Sequence, residues 1–308
     1  MGYMVDGQWV SGELIKADKK GRFIRSDSVF RLNESLEDFI PQAGRFHIYA
    51  SHACPWANRT LATLALKGLN SVVSYSVVDP LMLDDGWRFS EQYPDPFNHH
   101  RLLQDLYLAS DPQYTGRVTV PVLWDKHTQK IVCNESSEII RVLNRAFHPL
   151  AQRSIDLYPE AYQADIDALN DRIYESVNNG VYKCGFAQTQ TAYLEAITPL
   201  FNTLDWLESH LQDRRWLVGE VLTEADLRLF VTLIRFDPVY VSHFKCSKKR
   251  IVDYPNLWRH TRDFYRQPGI ADTVNITQIK EHYFKSHLQL NPSGIVPEGP
   301  DLNYSLES

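Results

Sequence analysis

Apolar positions along the chain fall into two regimes. The first runs from residue 46 to about 147 and mixes short apolar runs with helical spacing. Phe46 to Ala50 predicts a short strand, and Leu61, Leu64, Ala65 and Leu69 recur near helical period in the stretch from Pro55 to Leu69. Val72 to Val78 is β-branched and apolar and reads as a strand. Val118 to Trp124 is strand-like but interrupted by Pro121, and Lys130 to Cys133 supplies another short strand. From Ser136 to Phe147 the residues Ile139, Ile140 and Leu143 share one helical face. The order is β-α-β, a long excursion over about 80 to 116, then β-β-α. The excursion carries Pro80, Pro94, Pro96 and Pro112. An insert of that length in a compact domain is functional or partly helical, and Leu102 to Leu108 predicts a helical turn within it.

The second regime is helical almost to the end. Pro149 and Pro159 bracket a linker, and five helices follow over 161–177, 193–211, 224–236, 257–267 and 276–287. Thr223-Glu-Ala-Asp226 has the form of a capping box with Asp in place of Glu or Gln, flanked by Leu222 and Leu227 as a hydrophobic staple. Residues 1–40 are mixed and polar and read as an extension wrapped over a domain; 289–308 read as a tail.

Composition narrows the function classes. The chain has 308 residues, 44% hydrophobic and 23% charged, the profile of an ordinary globular protein of about two domains. Its net charge of −6 and the lack of a basic stripe interleaved with aromatics argue against nucleic-acid binding. Cys54, Cys133, Cys184 and Cys246 are too sparse for a disulfide framework and lack zinc-ligand spacing. His99-His100 and His282 with His287 have no carboxylate or cysteine companions at metal spacing, so no metal is expected. Residues 1–10 show no basic-then-apolar leader, and no apolar run is long enough to span a bilayer. A cytosolic chain with reduced thiols is the expectation.

Three local features carry candidate chemistry. Cys54-Pro55-Trp56-Ala57 places a cysteine between a strand and a helix. Proline at the first helical position puts Cys54 at the N-cap, where free amides and the helix dipole favour an anion. A thiolate there should form at lowered pKa. Ala57 stands where a dithiol motif would have its second cysteine, so an external thiol must resolve any disulfide. A small buried cysteine at a strand end would also fit the pattern. Val120-Pro121 divides a strand; either an edge strand or a cis bond that turns the Val120 backbone outward accounts for it. Asn134-Glu-Ser-Ser-Glu138 opens a helix, where Glu135 and Ser136 serve as caps or hold a zwitterionic amino-acid group.

These motifs together resemble the glutathione transferases. The resemblance narrows to the Xi class, the S-glutathionyl-hydroquinone reductases, on Cys54 to Ala57, Val77 to Pro80 with Gly86-Trp87, Gly116 to Asp125, Asn134 to Ser136, Asn178 to Lys183, Arg235 to Tyr240 and His282 to Phe284. Asn58 stands where a histidine is expected, and Cys184 where alanine is common. The resemblance implies an α/β plus all-α fold: an N-terminal thioredoxin-like, glutathione-binding domain over 41–150, then an all-helical glutathione-transferase C-terminal domain over 157–288. It implies Cys54 as nucleophile, Val120, Glu135, Ser136, Arg117 and Trp87 as glutathione-binding residues, and Tyr182, Tyr240 and Tyr283 around the hydroquinone, with Tyr182 and Tyr283 as candidate proton donors. The partners it implies are glutathione as co-substrate, glutathionylated aromatic molecules, and a second copy in a homodimer.

The expected reaction is reduction of S-glutathionyl-hydroquinones through a Cys54–glutathione disulfide. The alternatives are a conjugating transferase, a general thiol transferase or dehydroascorbate reductase, and a non-catalytic glutathione-binding scaffold.

Overall fold

The computed structural model describes residues 2–12, 16–32 and 35–305. The chain opens on two antiparallel pairs, Gly2–Val5 (β1) with Gln8–Ser11 (β2) and Lys16–Ala17 (β3) with Phe23–Ile24 (β4). Strands this short offer too few positions for alternation to register. Asp6 and Gly7 turn the first pair with φ of 46° and 76°, as a two-residue hairpin loop with both central residues left-handed requires.

The central sheet holds Phe46–Ala50 (β5), Ser74–Val77 (β6), Val122–Asp125 (β7) and Lys130–Cys133 (β8) in the order β6-β5-β7-β8. β5 runs parallel to β6 and antiparallel to β7, and β7 runs antiparallel to β8. Every residue of β5 and β7 is buried, which is why both read as mainly apolar runs, broken by His47 in β5 and Asp125 at the end of β7. Pro55–Lys67 (α1), Gln104–Ser110 (α2) and Ser136–Arg145 (α3) complete this thioredoxin-like arrangement. α1 stops at Gly68, which adopts φ 66° and returns its amide to Ala65 and Leu64. The strand expected from Val118 begins at Val122, since Pro121 has no N–H for the ladder; Val120–Pro121 is cis.

One buried carboxylate gathers part of the excursion after β6. Asp95 accepts from the Tyr49 hydroxyl at 2.8 Å and from the amides of Phe97 and His100 at 3.1 and 3.2 Å. Burial pushes its carboxyl up, but these hydrogen bonds win and hold it below the ordinary range.

The second part of the chain is helical: Gln163–Ile173 (α4), Gly180–Gly185 (α5), Gln190–His210 (α6), Glu224–Arg235 (α7) and Pro255–Tyr265 (α8). A π-helical turn, Tyr174–Asn178, joins α4 to α5, and a second, Phe236–Tyr240, extends α7. The capping box at α7 forms, with the Thr223 amide donating to Asp226 at 2.9 Å. Asp226 also accepts from the Leu217 amide at 2.8 Å and pairs with His260 at 2.9 Å. The last helix is Ile276–Ser286 (α9).

The compact units differ from the boundaries expected above. One comprises Met1–Leu14, Ser26–Ile155 and Thr273–Leu288; the other comprises Ile15–Arg25, Asp156–Asp272 and Gln289–Ser308. α9 therefore belongs with the sheet and not with the helical domain 157–288. Its ties explain this: the Asn58 side chain donates to the Thr273 carbonyl and hydroxyl at 3.1 and 3.0 Å, and the Met82 amide donates to Ser286 Oγ at 3.0 Å. The extension 1–40 divides. Met4 pairs with Gly116 and Phe30 stacks on Tyr114 in the sheet unit, while Gln188 donates to the Gly21 carbonyl in the helical one. The expected tail packs too: Tyr304 is buried against Trp258 and Tyr265. Among the described residues, no helix is long and apolar enough to cross a membrane.

Candidate active site

Cys54 is the N-cap of α1, with extended backbone (φ −79°, ψ 121°) and Pro55 directly after it. Its amide donates to the Ser51 carbonyl at 3.2 Å and its carbonyl accepts from Asn58 at 3.0 Å. The thiol is half-buried and lies 3.6 Å from the Val120 carbonyl. Strand β5, the turn 51–53 and the Val120–Pro121 bond thus bring the two expected residues together. Cys133, Cys184 and Cys246 are buried. Burial pushes the Cys133 thiol up, and burial together with the adjoining Cys184 does the same to Cys246. Of the four, Cys54 alone combines partial exposure with a helix N-terminus.

Glu135 and Ser136 sit at the N-terminus of α3. Glu135 is the N-cap and accepts from the Ser137 amide at 2.9 Å; the Ser28 hydroxyl reaches its other oxygen at 3.1 Å. The cap reading of Glu135 is therefore realised, and a ligand ammonium would share this carboxylate with those donors. Ser136 is buried, 3.5 Å from Nη1 of Arg59, whose guanidinium lies 4.5 Å from the Trp56 ring. Asn134 Oδ1 accepts from the Phe30 amide at 3.1 Å, so the N-terminal segment runs directly beside this helix start. Arg117 is half-buried, and its carbonyl accepts from the Tyr114 hydroxyl at 2.8 Å.

Trp87 and Tyr283 come together through α9. Trp87 is buried and lies flat against His282, ring centroids 4.8 Å apart and planes 13° apart. Tyr283 follows His282, is 1% exposed, and meets His287 edge-on at 5.5 Å. Tyr283 is thus a residue of the sheet unit, contrary to its expected place in the helical domain. In the helical unit, Tyr182 and Tyr240 lie 6.2 Å apart, and Phe244 stacks on Tyr240 at 5.4 Å. Arg25 covers the Tyr182 ring at 4.7 Å while its Nε donates to Asn179 at 2.7 Å. Tyr182 comes shortly after one π-helical turn and Tyr240 ends the other; such turns displace a side chain from the register of a regular helix. Nothing in the residue pattern alone marks Arg59, Thr273 or Arg25 for these neighbourhoods, because each contact joins distant segments.

Residues 53–146 match the family described as "Glutathione S-transferase, N-terminal domain", and 188–263 match "Glutathione S-transferase, C-terminal domain". The glutathionyl-hydroquinone reductase YqjG of Escherichia coli (strain K12) is 51% identical over 97% of this chain and 95% of its own. The glutathionyl-hydroquinone reductase PcpF of Sphingobium chlorophenolicum is 49% identical over 97% and 96%. The chain belongs to the Xi-class glutathionyl-hydroquinone reductase family. The glutathione-bound structure of YqjG superposes with a TM-score of 0.88 at 49% identity, covering 99% of this chain and 98% of that one. The Xi transferase of Phanerochaete chrysosporium does so with a TM-score of 0.90 at 50% identity, covering 95% and 96%. Within this family, the thioredoxin-like unit with Cys54 and the helical unit are the transferase's two recognised parts.

Proposed function

We propose that the protein reduces S-glutathionyl-hydroquinones with glutathione, through a disulfide on Cys54. The observation that carries this reading is the half-buried Cys54 thiol at the N-terminus of α1, facing the Val120 carbonyl, with no cysteine at position 57. The helix N-terminus stabilises the thiolate, and the missing local partner leaves resolution to a second glutathione.

In the first step the Cys54 thiolate attacks the glutathione sulfur. An S–S bond forms and the sulfur–aryl bond breaks. Its electron pair goes to the ring carbon, which takes a proton as the hydroquinone leaves. In the second step a glutathione thiolate attacks the Cys54–glutathione disulfide, giving oxidised glutathione and the Cys54 thiolate. The thioether sulfur of the substrate and one glutathione thiol are oxidised by two electrons in all, one aryl carbon is reduced, and Cys54 is regenerated. Glu135 and Ser136 bind the γ-glutamyl end, Val120 offers its backbone to the cysteinyl part, and Arg117 and Trp87 lie toward the glycyl and thiol region. Tyr283, in the same unit as Cys54, is the first candidate to deliver the proton, with Tyr182 the second. Tyr182 and Tyr240 contribute aromatic surface from the helical unit. A reducing cytoplasm suits the free thiols, and a homodimer is the assembly that light scattering would test.

The decisive assay measures turnover of a glutathionyl-hydroquinone beside conjugation of a chloro-nitrobenzene. Reduction should dominate, and Cys54→Ala should lower it by roughly 10³-fold or more. Near-normal reduction by the variant would overturn the mechanism.

A further inference from the structure

α9 does more in the sheet unit than carry Tyr283. His282 lies parallel to the Trp87 indole at 4.8 Å, an arrangement that buried aromatic rings favour. The imidazole is held in place: its Nδ1 is 2.8 Å from the Pro80 carbonyl, and the residue is 6% exposed. A carbonyl only accepts, so this bond puts a proton on Nδ1. One turn further along α9, Ser286 Oγ takes the Met82 amide. The backbone at Trp87 is also held: its carbonyl accepts from the Leu103 amide at 2.9 Å, and Arg88 bridges to Leu102. The segment around Trp87 and the helix bearing Tyr283 are thereby joined at Pro80, Met82 and Trp87, and His282 makes two of the three contacts.

We propose that His282 is a positioning residue for the glutathione site: it sets the plane of the Trp87 indole and, through the same turn of α9, the place of the Tyr283 hydroxyl. This rests on the reading of Trp87 as a glutathione-binding residue. Removing the imidazole opens space on one face of the indole and frees its two side-chain torsions. The group that meets the tripeptide then loses its orientation, although His282 itself touches no substrate. A histidine that merely filled the core would be replaceable by any side chain of similar volume.

The test titrates glutathione alone into the full-length protein and reads binding by calorimetry, which needs no indole signal and so reports every variant. His282→Ala should raise the dissociation constant about tenfold, because a small misplacement of a binding group is costly. His282→Phe keeps a flat ring and should stay within about threefold, and the Trp87→Ala/His282→Ala double variant should bind no more weakly than Trp87→Ala. Wild-type affinity in His282→Ala, or losses that add in full in the double variant, would overturn the proposal. Should His282→Ala not fold, His282→Phe against His282→Leu decides, and equal affinity of these two counts against it. Binding is read without hydroquinone. A wild type that binds glutathione but reduces no glutathionyl-hydroquinone therefore sinks the reductase reading alone, while an active wild type with unaffected His282 variants sinks this inference alone.

Discussion

At the scale of single residues, burial decides chemistry that residue type leaves open. His47 shows this outside the site. It sits on β5 with its ring nitrogens 2.8 and 2.9 Å from the hydroxyls of Ser74 and Ser76 on β6. Burial first, then the charge of Lys126, pushes the imidazole down to about 3. The unfolded chain takes up this proton near pH 6.5, whereas the folded chain does so only near 3. The group's contribution is therefore complete above about pH 6.5 and declines as pH falls toward 3, by up to ~1.4 kcal/mol per pH unit. Urea unfolding at pH 7.5 and 5 should show the wild type losing ~2 kcal/mol more than His47→Gln; parallel losses would mean that His47 is protonated in the folded state. The N-cap position of Cys54 is legible at this scale because its signal is local: a strand, a cysteine, a proline. Arg59 was not, because its contact with Ser136 crosses from one helix start to another.

At the scale of elements, the sheet strands and the longer helices follow from periodicity, while the six-residue α5 and the irregular devices do not. The β1–β2 hairpin has its signal in Asp6-Gly7, a dipeptide suited to left-handed turn positions, but too little strand surrounds it. The π-helical turns have no period to read. Pro238 gives one of them a physical reason: it has no N–H to return to the Ile234 carbonyl four residues back, so α7 cannot continue in register. The orphaned carbonyl is met by the Tyr304 hydroxyl at 3.4 Å. Residues that looked like a tail therefore complete the hydrogen bonding of a helix 70 positions earlier. Tyr304→Phe should keep the ring packing and lose this bond, costing about 1 kcal/mol and lowering the melting temperature by a few degrees. An unchanged melting temperature would show that water replaces the hydroxyl at no cost.

At the scale of the whole molecule, chain order and structural units part company. Periodicity places the five expected late helices in one domain, yet Thr273 and α9 after it return to the sheet through Asn58, Pro80, Met82 and Trp87. Each of these ties spans roughly two hundred residues, beyond the reach of any local pattern. The consequence is testable by where the chain is cut. Ending it after Leu288 removes Tyr304 and its packing on Trp258 and Tyr265 but leaves α9, so glutathione affinity should persist while the melting temperature falls. Ending it after Asp272 keeps both stretches that match the transferase family, 53–146 and 188–263, and keeps Cys54, Glu135 and Ser136. It removes the partner of Asn58 and the stack on Trp87, so glutathione binding should weaken by about tenfold or more, measured by calorimetry. If the shorter chain binds glutathione as well as the longer one, α9 only covers the sheet unit, and the orientation of Trp87 is set by the excursion alone.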